Sequence, residues 1–263
     1  MKKLMMIGFG AMGQTVLAHL PEGLSLAWVV VPERSIAKVS ALVGADVAVM
    51  ADVAECAEQP DLVIEVAGQA GVRAHAAAVL RRGWNMALIS VGALADAELA
   101  QSLATAATEG GGTLTVLAGA VAGMDGLAAA KEGGLDRVVY QGCKSPSSWQ
   151  GSHAETLIDL ANVTEKTVFF TGSAREAATL FPANANVAAT IALAGLGMDE
   201  TQVELTVDPD SHKNQHRIEA SGRFGQMSIE LAGVPLPSNP KTSTLAALSV
   251  VRACRLCLSG IKV

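Results

Sequence analysis

Short apolar runs alternate with segments of helical periodicity over roughly the first 120 residues of the chain. Apolar runs bounded by turn residues predict buried strands, and a 3.6-residue period predicts helices. The predicted strands are residues 4–9, 24–31, 45–50, 61–67, 85–91 and 113–117. The predicted helices are residues 11–20, 35–42, 72–82 and 96–109, with Ser35 as the cap of the second. Regular alternation of the two indicates right-handed crossovers and a parallel, doubly wound α/β sheet.

The pattern changes after residue 120. The predicted strands there are residues 167–170, 202–207, 216–221 and 226–231, and the predicted helices are residues 186–196 and 242–258. The last two strands flank Gly222–Gly225, which predicts a hairpin. This mixture is typical of a smaller α+β domain with an antiparallel or mixed sheet. We predict domains at 1–120 and 121–239, with a C-terminal helix within 240–263 that packs back onto the first.

Composition narrows the class of protein. Half of the 263 residues are apolar and only 3% are aromatic, so the core is expected to consist of Ala, Val, Leu and Ile. A net charge of −6 argues against a nucleic-acid partner. No apolar run reaches the ~18 residues of a membrane span. The start lacks a signal-peptide pattern, and only four cysteines occur, so we expect a cytoplasmic protein.

The cysteines show no metal-ligand spacing, and we predict no metal site. Cys254 and Cys257 form a C-x-x-C pair, but the pair lies inside a helical pattern. A redox pair normally stands at the start of a helix, after a strand. We therefore interpret these two cysteines as small residues on a helix.

The turn after the first strand carries the strongest chemical signal. Its sequence is G-x-G-x-x-G, formed by Gly8, Phe9, Gly10, Ala11, Met12 and Gly13. The first glycine allows a tight turn, the second lets backbone amides approach a pyrophosphate, and the third lets the helix pack close to the strand. The positive N-terminus of the helix favours the phosphates. Residues 1–120 are therefore predicted to form a dinucleotide-binding (Rossmann) domain.

Other turns at the carboxyl ends of the predicted strands are expected to line the same crevice. They are Ala67–Gly68, Val91–Gly92 and Gly119–Ala120. Glu33 comes twenty residues after Gly13, near the position expected for a ribose ligand, and Arg34 beside it is placed for a 2′-phosphate. The pair predicts weak discrimination between NAD and NADP, with an ordinary solvated ion pair as the alternative.

Polar clusters in the second half are candidates for the chemistry. The densest is Asp208–Arg217, in which His216 begins an alternating strand and is a candidate acid or base, the alternative being a structural histidine. Asn186, at a helix start, is either a cap or a carboxamide ligand. Lys241, Thr242 and Ser243 open the last predicted helix, where they either cap it or bind a carboxylate.

Five motifs together resemble the L-aspartate dehydrogenases, a family linked to NAD biosynthesis. The motifs are GFGAMG at 8–13, GAVAG at 119–123, FPANANVAA at 181–189, NQHRI at 214–218 and NPKTS at 239–243. The resemblance implies a homodimer, with NAD or NADP as cofactor, that deaminates L-aspartate oxidatively. It implies that His216 is the active-site histidine and that Ala120 and Asn186 contact the nicotinamide cofactor. We assign Asn214, Lys241, Thr242 and Ser243 to the substrate, with Lys144, Lys213 and Arg217 as weaker candidates for its carboxylates.

Two alternatives remain open from the sequence. One is a related oxidoreductase on another acidic substrate, similar to dihydrodipicolinate reductase or homoserine dehydrogenase. The other is a protein that senses NAD(P)H without turnover. The clusters around His216 and Lys241 argue against the sensor, since a sensor needs neither.

Overall fold

The computed structural model describes residues 1–182, 185–237 and 239–262. The chain divides into two compact units. Unit 1 comprises Met1–Leu117 and the C-terminal segment from Ala247, and unit 2 comprises Ala118–Ala246. The division thus falls slightly before residue 120, and the returning segment begins at Ala247 and not at 240. None of the helices in the described ranges is long and apolar enough to cross a membrane.

Unit 1 contains a six-stranded, entirely parallel sheet. Its strands are Lys2–Ile7 (β1), Leu24–Val30 (β2), Ala48–Met50 (β3), Leu62–Glu65 (β4), Met86–Leu88 (β5) and Leu114–Val116 (β6). Their order in the sheet is β3-β2-β1-β4-β5-β6. Its helices are Ala11–Ala18 (α1), Ile36–Val43 (α2), Gln69–Arg81 (α3) and Ala97–Gly110 (α4). The order reverses between β1 and β4, which places the switch point of the sheet there.

The central strands of unit 1 are buried along nearly their whole length. Leu4 to Ile7 of β1 and all four residues of β4 are buried, which fits a sheet covered on both faces. One local prediction is wrong: the Ser35 side chain makes no capping hydrogen bond to α2. A 3-10 turn, Glu33–Ser35, runs directly into α2, and Ser35 has helical rather than extended backbone angles.

Unit 2 contains a mixed five-stranded sheet. Its strands are Leu135–Lys144 (β7), Thr167–Ser173 (β8), Gln202–Val207 (β9), Asn214–Gly222 (β10) and Gly225–Gly233 (β11), followed by the small pair Pro235–Leu236 (β12) and Asn239–Ser243 (β13). The order in the sheet is β11-β10-β7-β9-β8, and of these neighbours only β7 and β9 are parallel. The helices are Met124–Gly133 (α5), Pro146–Trp149 (α6), Ala174–Leu180 (α7) and Ala185–Ala194 (α8). The last helix, Thr244–Leu258 (α9), begins in unit 2, but from Ala247 onward it belongs to unit 1.

The central strand of unit 2 is the largest omission of the sequence prediction. β7 lies between β10 and β9, yet its pattern of buried positions does not alternate. The predicted hairpin is confirmed, since β10 and β11 pair up to Gly222 opposite Gly225. The NPKTS segment forms β13 and does not open the last helix, which begins at Thr244.

The two faces of this sheet differ in character. On one face Val138, Ile218 and Leu205 are fully or almost fully buried. On the other, Arg217 pairs with Glu219 at 2.6 Å and with Glu230 at 3.5 Å. His216 lies on the buried face because it alternates with Arg217 along β10.

Candidate active site

The three glycines of the first turn occupy three different environments. Gly8 has φ +93°, and a Cβ there would lie 2.6 Å from the Cα of Ala67. At Gly13 a Cβ would lie 3.0 Å from Met6 Sδ and 3.1 Å from the Gly8 carbonyl oxygen. At Gly10, which is exposed, a Cβ would meet no atom within 4 Å. The first and third positions are thus closed by the protein itself, and the second opens to space that a ligand can approach.

A buried carboxylate ties the neighbouring turns together. Glu65, at the end of β4, is 0% exposed. Its Oε1 accepts hydrogen bonds from the backbone N–H groups of Ala67 at 2.7 Å and Gly68 at 2.8 Å. Ser90, after β5, donates its hydroxyl to Oε1 at 2.9 Å and its backbone N–H to Oε2 at 3.0 Å. Burial raises the pKa of Glu65, and these hydrogen bonds oppose the shift.

Glu33 and Arg34 lie where the second strand ends. Both side chains are exposed on the 3-10 turn Glu33–Ser35, which follows Pro32. The ion pairs of the described residues do not include one between these two side chains. Both remain accessible for a ligand beyond the carboxyl end of β2.

His216 is held in the buried face of the second sheet. Its ring is 5% exposed, and its Nδ1 lies 2.9 Å from the hydroxyl of Tyr140 on β7. The two rings stack with centroids 5.9 Å apart and an angle of 24° between their planes. Gly142 lies directly opposite His216 in the register, and a Cβ there would lie 2.7 Å from the Tyr140 hydroxyl. The missing side chain of Gly142 therefore makes room for this hydrogen bond.

Lys144 ends the same strand two residues beyond Gly142, so it shares the face of His216. Its Nζ lies 5.1 Å from the ring centroid of Trp149, which is fully buried. Burial lowers the pKa of Lys144 to about 8. Burial, together with this nearby cation, lowers the pKa of His216 to about 4. His216 is consequently neutral at pH 7.

A polar cavity of about 520 Å³ lies beside this strand end, within unit 2. Asn214, two positions before His216 on β10, lines it together with Lys213. The cavity is also lined by Ser145, Ser147 and Ser148, which follow Lys144 along the chain. The cavity therefore offers hydroxyl, amide and ammonium groups within a few residues of the histidine.

The remaining predicted site residues are the substrate candidates at 241–243 and the cofactor candidates Ala120 and Asn186. Ser243 is buried, and its hydroxyl has no hydrogen-bond partner among the described residues. Thr242 accepts a hydrogen bond from Asn239 at 3.0 Å, and the side chain of Lys241 lies outside the described parts of the chain. Ala120 is half-buried after Gly119, which has φ +66°, and Asn186 is exposed in α8.

Both halves of the chain match known protein families. Residues 125–256 match the family model described as aspartate dehydrogenase, C-terminal, and residues 8–117 match the homoserine dehydrogenase NAD-binding domain. L-aspartate dehydrogenase from Acinetobacter baumannii is 65% identical over 263 residues, which cover 100% of both chains. L-aspartate dehydrogenase from Serratia proteamaculans is 58% identical over 99% of this chain and 98% of its own. The chain belongs to the L-aspartate dehydrogenase family.

A solved structure agrees on the fold. Aspartate dehydrogenase from Thermotoga maritima superposes with a TM-score of 0.78 at 23% sequence identity, covering 100% of this chain and 99% of its own. The six-stranded parallel sheet of unit 1 is the pyridine-nucleotide-binding part of this family member. The predicted combination of a doubly wound sheet with a second α+β domain is thus confirmed.

Within this family member, sequence reasoning overlooked Glu65, Ser90, Tyr140 and Gly142. Glu65 lies within the predicted strand 61–67, where no role is assigned to it, and Tyr140 lies on β7, which the sequence pattern does not predict. Glu65 could have been found from the sequence, since it is a carboxylate inside the apolar run 62–66 and a buried charge requires hydrogen-bond partners. One weaker substrate candidate is not supported: Arg217 lies on the face opposite His216 and pairs with acidic residues.

Proposed function

We propose that this chain catalyses the NAD(P)-dependent oxidation of L-aspartate to iminoaspartate, which water converts to oxaloacetate and ammonia. The observation that carries the proposal is the 65% identity to an L-aspartate dehydrogenase over the full length of both chains. The geometry of unit 2 supports it, because the strands that carry the buried His216 and the half-buried Lys144 lead to a polar cavity lined by Asn214 and Ser145.

The residues of unit 1 fit a dinucleotide. The open side of Gly10, between the closed positions of Gly8 and Gly13, leaves room for a pyrophosphate against backbone amides. The proposed cofactor contacts are Gly8, Gly10, Ala11, Met12, Gly13, Glu33, Arg34, Ala67, Gly68, Ala120 and Asn186. We expect both NAD and NADP to be accepted, because Glu33 suits a ribose hydroxyl and Arg34 suits a 2′-phosphate.

The chemistry is divided between cofactor and protein. A bound nicotinamide would supply the acceptor for the hydride that leaves the α-carbon of L-aspartate, while the residues of the chain bind and orient the substrate. His216 acts at the protons of the amine or of the attacking water. In its neutral state at pH 7, one ring nitrogen carries a proton and the other accepts a hydrogen bond.

The substrate carries two carboxylates, which require cations or hydrogen-bond donors. The proposed ligands are Asn214, Lys241, Thr242 and Ser243. Two observations support this set: Asn214, two residues before His216 on β10, lines the polar cavity, and the buried Ser243 hydroxyl has no partner in the described chain. A buried hydroxyl without a partner costs about 1–3 kcal/mol, which a bound carboxylate would recover.

The experiment that tests the function is NAD(P)H formation with L-aspartate, homoserine and other amino acids assayed separately. We expect turnover with L-aspartate, and a His216→Ala variant that loses about 10²–10⁴-fold in kcat. His19→Ala, at an exposed position after α1, is the matched control and should keep wild-type activity. Turnover with homoserine alone, or cofactor binding without turnover, would favour the alternatives and overturn the proposal.

The homodimer implied by the family resemblance and the cytoplasmic location expected from the sequence belong to this proposal. Sedimentation of the purified chain tests the first, and fractionation of the source cells tests the second. A role in NAD biosynthesis would follow if the imine is the species released.

A further inference from the structure

Tyr140 is the only tyrosine of the chain, and it is 3% exposed. Its hydroxyl makes one hydrogen bond within the described ranges, to Nδ1 of His216 at 2.9 Å. It reaches the histidine along β7 by passing over Gly142, where any side chain would collide with it. The bond therefore depends on three residues in a fixed register: Tyr140, Gly142 and His216.

Comparing the two possible donors, the Tyr140 hydroxyl and His216 Nδ1, shows which of them donates the hydrogen bond. Burial raises the pKa of Tyr140, so the phenol keeps its proton. If Nδ1 carried the proton and donated, the phenolic hydrogen would be left buried without an acceptor among the described residues, at a cost of about 1–3 kcal/mol. If the phenol donates, Nδ1 accepts and both groups are satisfied. A neutral imidazole whose Nδ1 is bare carries its proton on Nε2.

We propose that Tyr140 is a positioning residue that holds His216 as the neutral Nε2–H tautomer, with Gly142 as the gap that permits the contact. His216 then meets a bound substrate first as an N–H donor. Nε2 can accept a proton only after it has given up the one that it carries. The tautomer itself does not depend on the proposed function, although its consequence for aspartate oxidation does.

The test is ¹⁵N NMR of the full-length chain with labelled histidine, since ring-nitrogen shifts distinguish a bare from a protonated nitrogen. The chain has five histidines, and the signals absent from His216→Asn identify His216. At pH 7 we expect a bare Nδ1 and a protonated Nε2. A proton on Nδ1, or a cationic ring, would overturn the proposal.

Tyr140→Phe removes only the hydroxyl. We expect His216 to populate both tautomers and its pKa to rise, because a donor to the neutral ring is lost. The groups that act on the imidazole there are Tyr140 and the Lys144 cation of β7, and Leu231 is its neighbour on β11. In an active enzyme, kcat should fall about 10–100-fold, the effect typical of partners that orient a histidine. An unchanged tautomer and pKa in this variant would refute the assignment.

Two further variants separate positioning from general damage. Gln141→Met removes a 2.7 Å hydrogen bond to Glu204 on the opposite face of β7, and should leave the His216 signals as in wild type. Gly142→Ala displaces the Tyr140 hydroxyl and should shift the His216 signals. In a Tyr140→Phe background there is no hydroxyl to displace, so the same change should shift them much less. Equal shifts in the two backgrounds would contradict the contact between Tyr140 and His216. If aspartate is not oxidised, the proposed function fails while the NMR result still decides the tautomer.

Discussion

Glu65 and His216 are both buried titratable side chains, one in each unit, and they differ in how many partners surround them. Burial drives both toward the neutral state, raising the pKa of Glu65 and lowering that of His216. Glu65 accepts four hydrogen bonds from Ala67, Gly68 and Ser90. In the described parts of the chain, His216 has a hydrogen bond at Nδ1 alone.

The difference separates a structural role from a chemical one. The carboxylate of Glu65 is committed to backbone groups of the turn after β4, so it has little capacity left for a ligand. The imidazole keeps Nε2 uncommitted within the described chain, and that nitrogen is available to a substrate. The number of internal partners, more than burial or pKa, indicates which buried group is free to act.

Of the variants considered, Glu65→Leu should lower the free energy of unfolding the most. The change leaves three backbone N–H groups and the Ser90 hydroxyl without an acceptor. Ser90 is buried, so its two donors should cost about 1–3 kcal/mol each, whereas Ala67 and Gly68 are exposed and their N–H groups should cost less. We expect the free energy of unfolding to fall by about 2–6 kcal/mol, more than for the loss of a single partner. Urea denaturation followed by circular dichroism measures it.

His216→Leu is the counterpart and leaves only the Tyr140 hydroxyl unpaired, so its cost should be about 1–3 kcal/mol. Equal losses in the two leucine variants would contradict the argument from partner number.

Gly8→Ala should have the next largest effect. It places a Cβ 2.6 Å from the Ala67 Cα at φ +93°, so the turn that Glu65 organises must shift. We expect a loss of about 2–4 kcal/mol, from the strained backbone together with overpacking.

Gly10→Ala is the matched control, since its Cβ meets no protein atom within 4 Å. That variant should keep its stability yet bind NAD(P)H more weakly by fluorescence titration. Loss of stability at Gly10, or none at Gly8, would show that the two glycines have been assigned the wrong roles.

The sequence predicted these two regions unequally, for physical reasons. Gly8, Gly10 and Gly13 were identifiable because a tight turn, a close approach and a helix contact each demand glycine at fixed spacing. Tyr140 was not, because its partner lies 76 residues away and only strand register brings them together. The predicted candidate His216 lies in the buried face of unit 2, but its hydrogen bond, its tautomer and the gap at Gly142 are tertiary features.

The pH dependence of Glu65 gives a smaller effect. Its pKa in the folded chain is raised above the ordinary value of 4.5, so its contribution to stability is full below that value and declines as pH rises through the folded pKa. Glu65→Gln has no such titration. The stability difference, wild type minus Glu65→Gln, should therefore shrink with rising pH over this window, by at most about 1.4 kcal/mol per pH unit. A difference that grows with pH would mean that the four hydrogen bonds outweigh burial.

Ionisation of Tyr140 tests the His216 region without any substitution. The chain has no other tyrosine, so tyrosinate absorbance reports on Tyr140 alone. Burial raises the pKa of the phenol above its ordinary value of 10, so tyrosinate absorbance should stay absent at pH 10 while the fold persists. The same linkage predicts that stability falls as pH rises from 10 toward the folded pKa. Guanidinium-unfolded chain should titrate near the ordinary value, and Tyr140→Phe should show no signal. Ionisation near pH 10 in the folded protein would mean that the hydroxyl is solvated, and the hydrogen bond to Nδ1 would then no longer require the phenol as its donor.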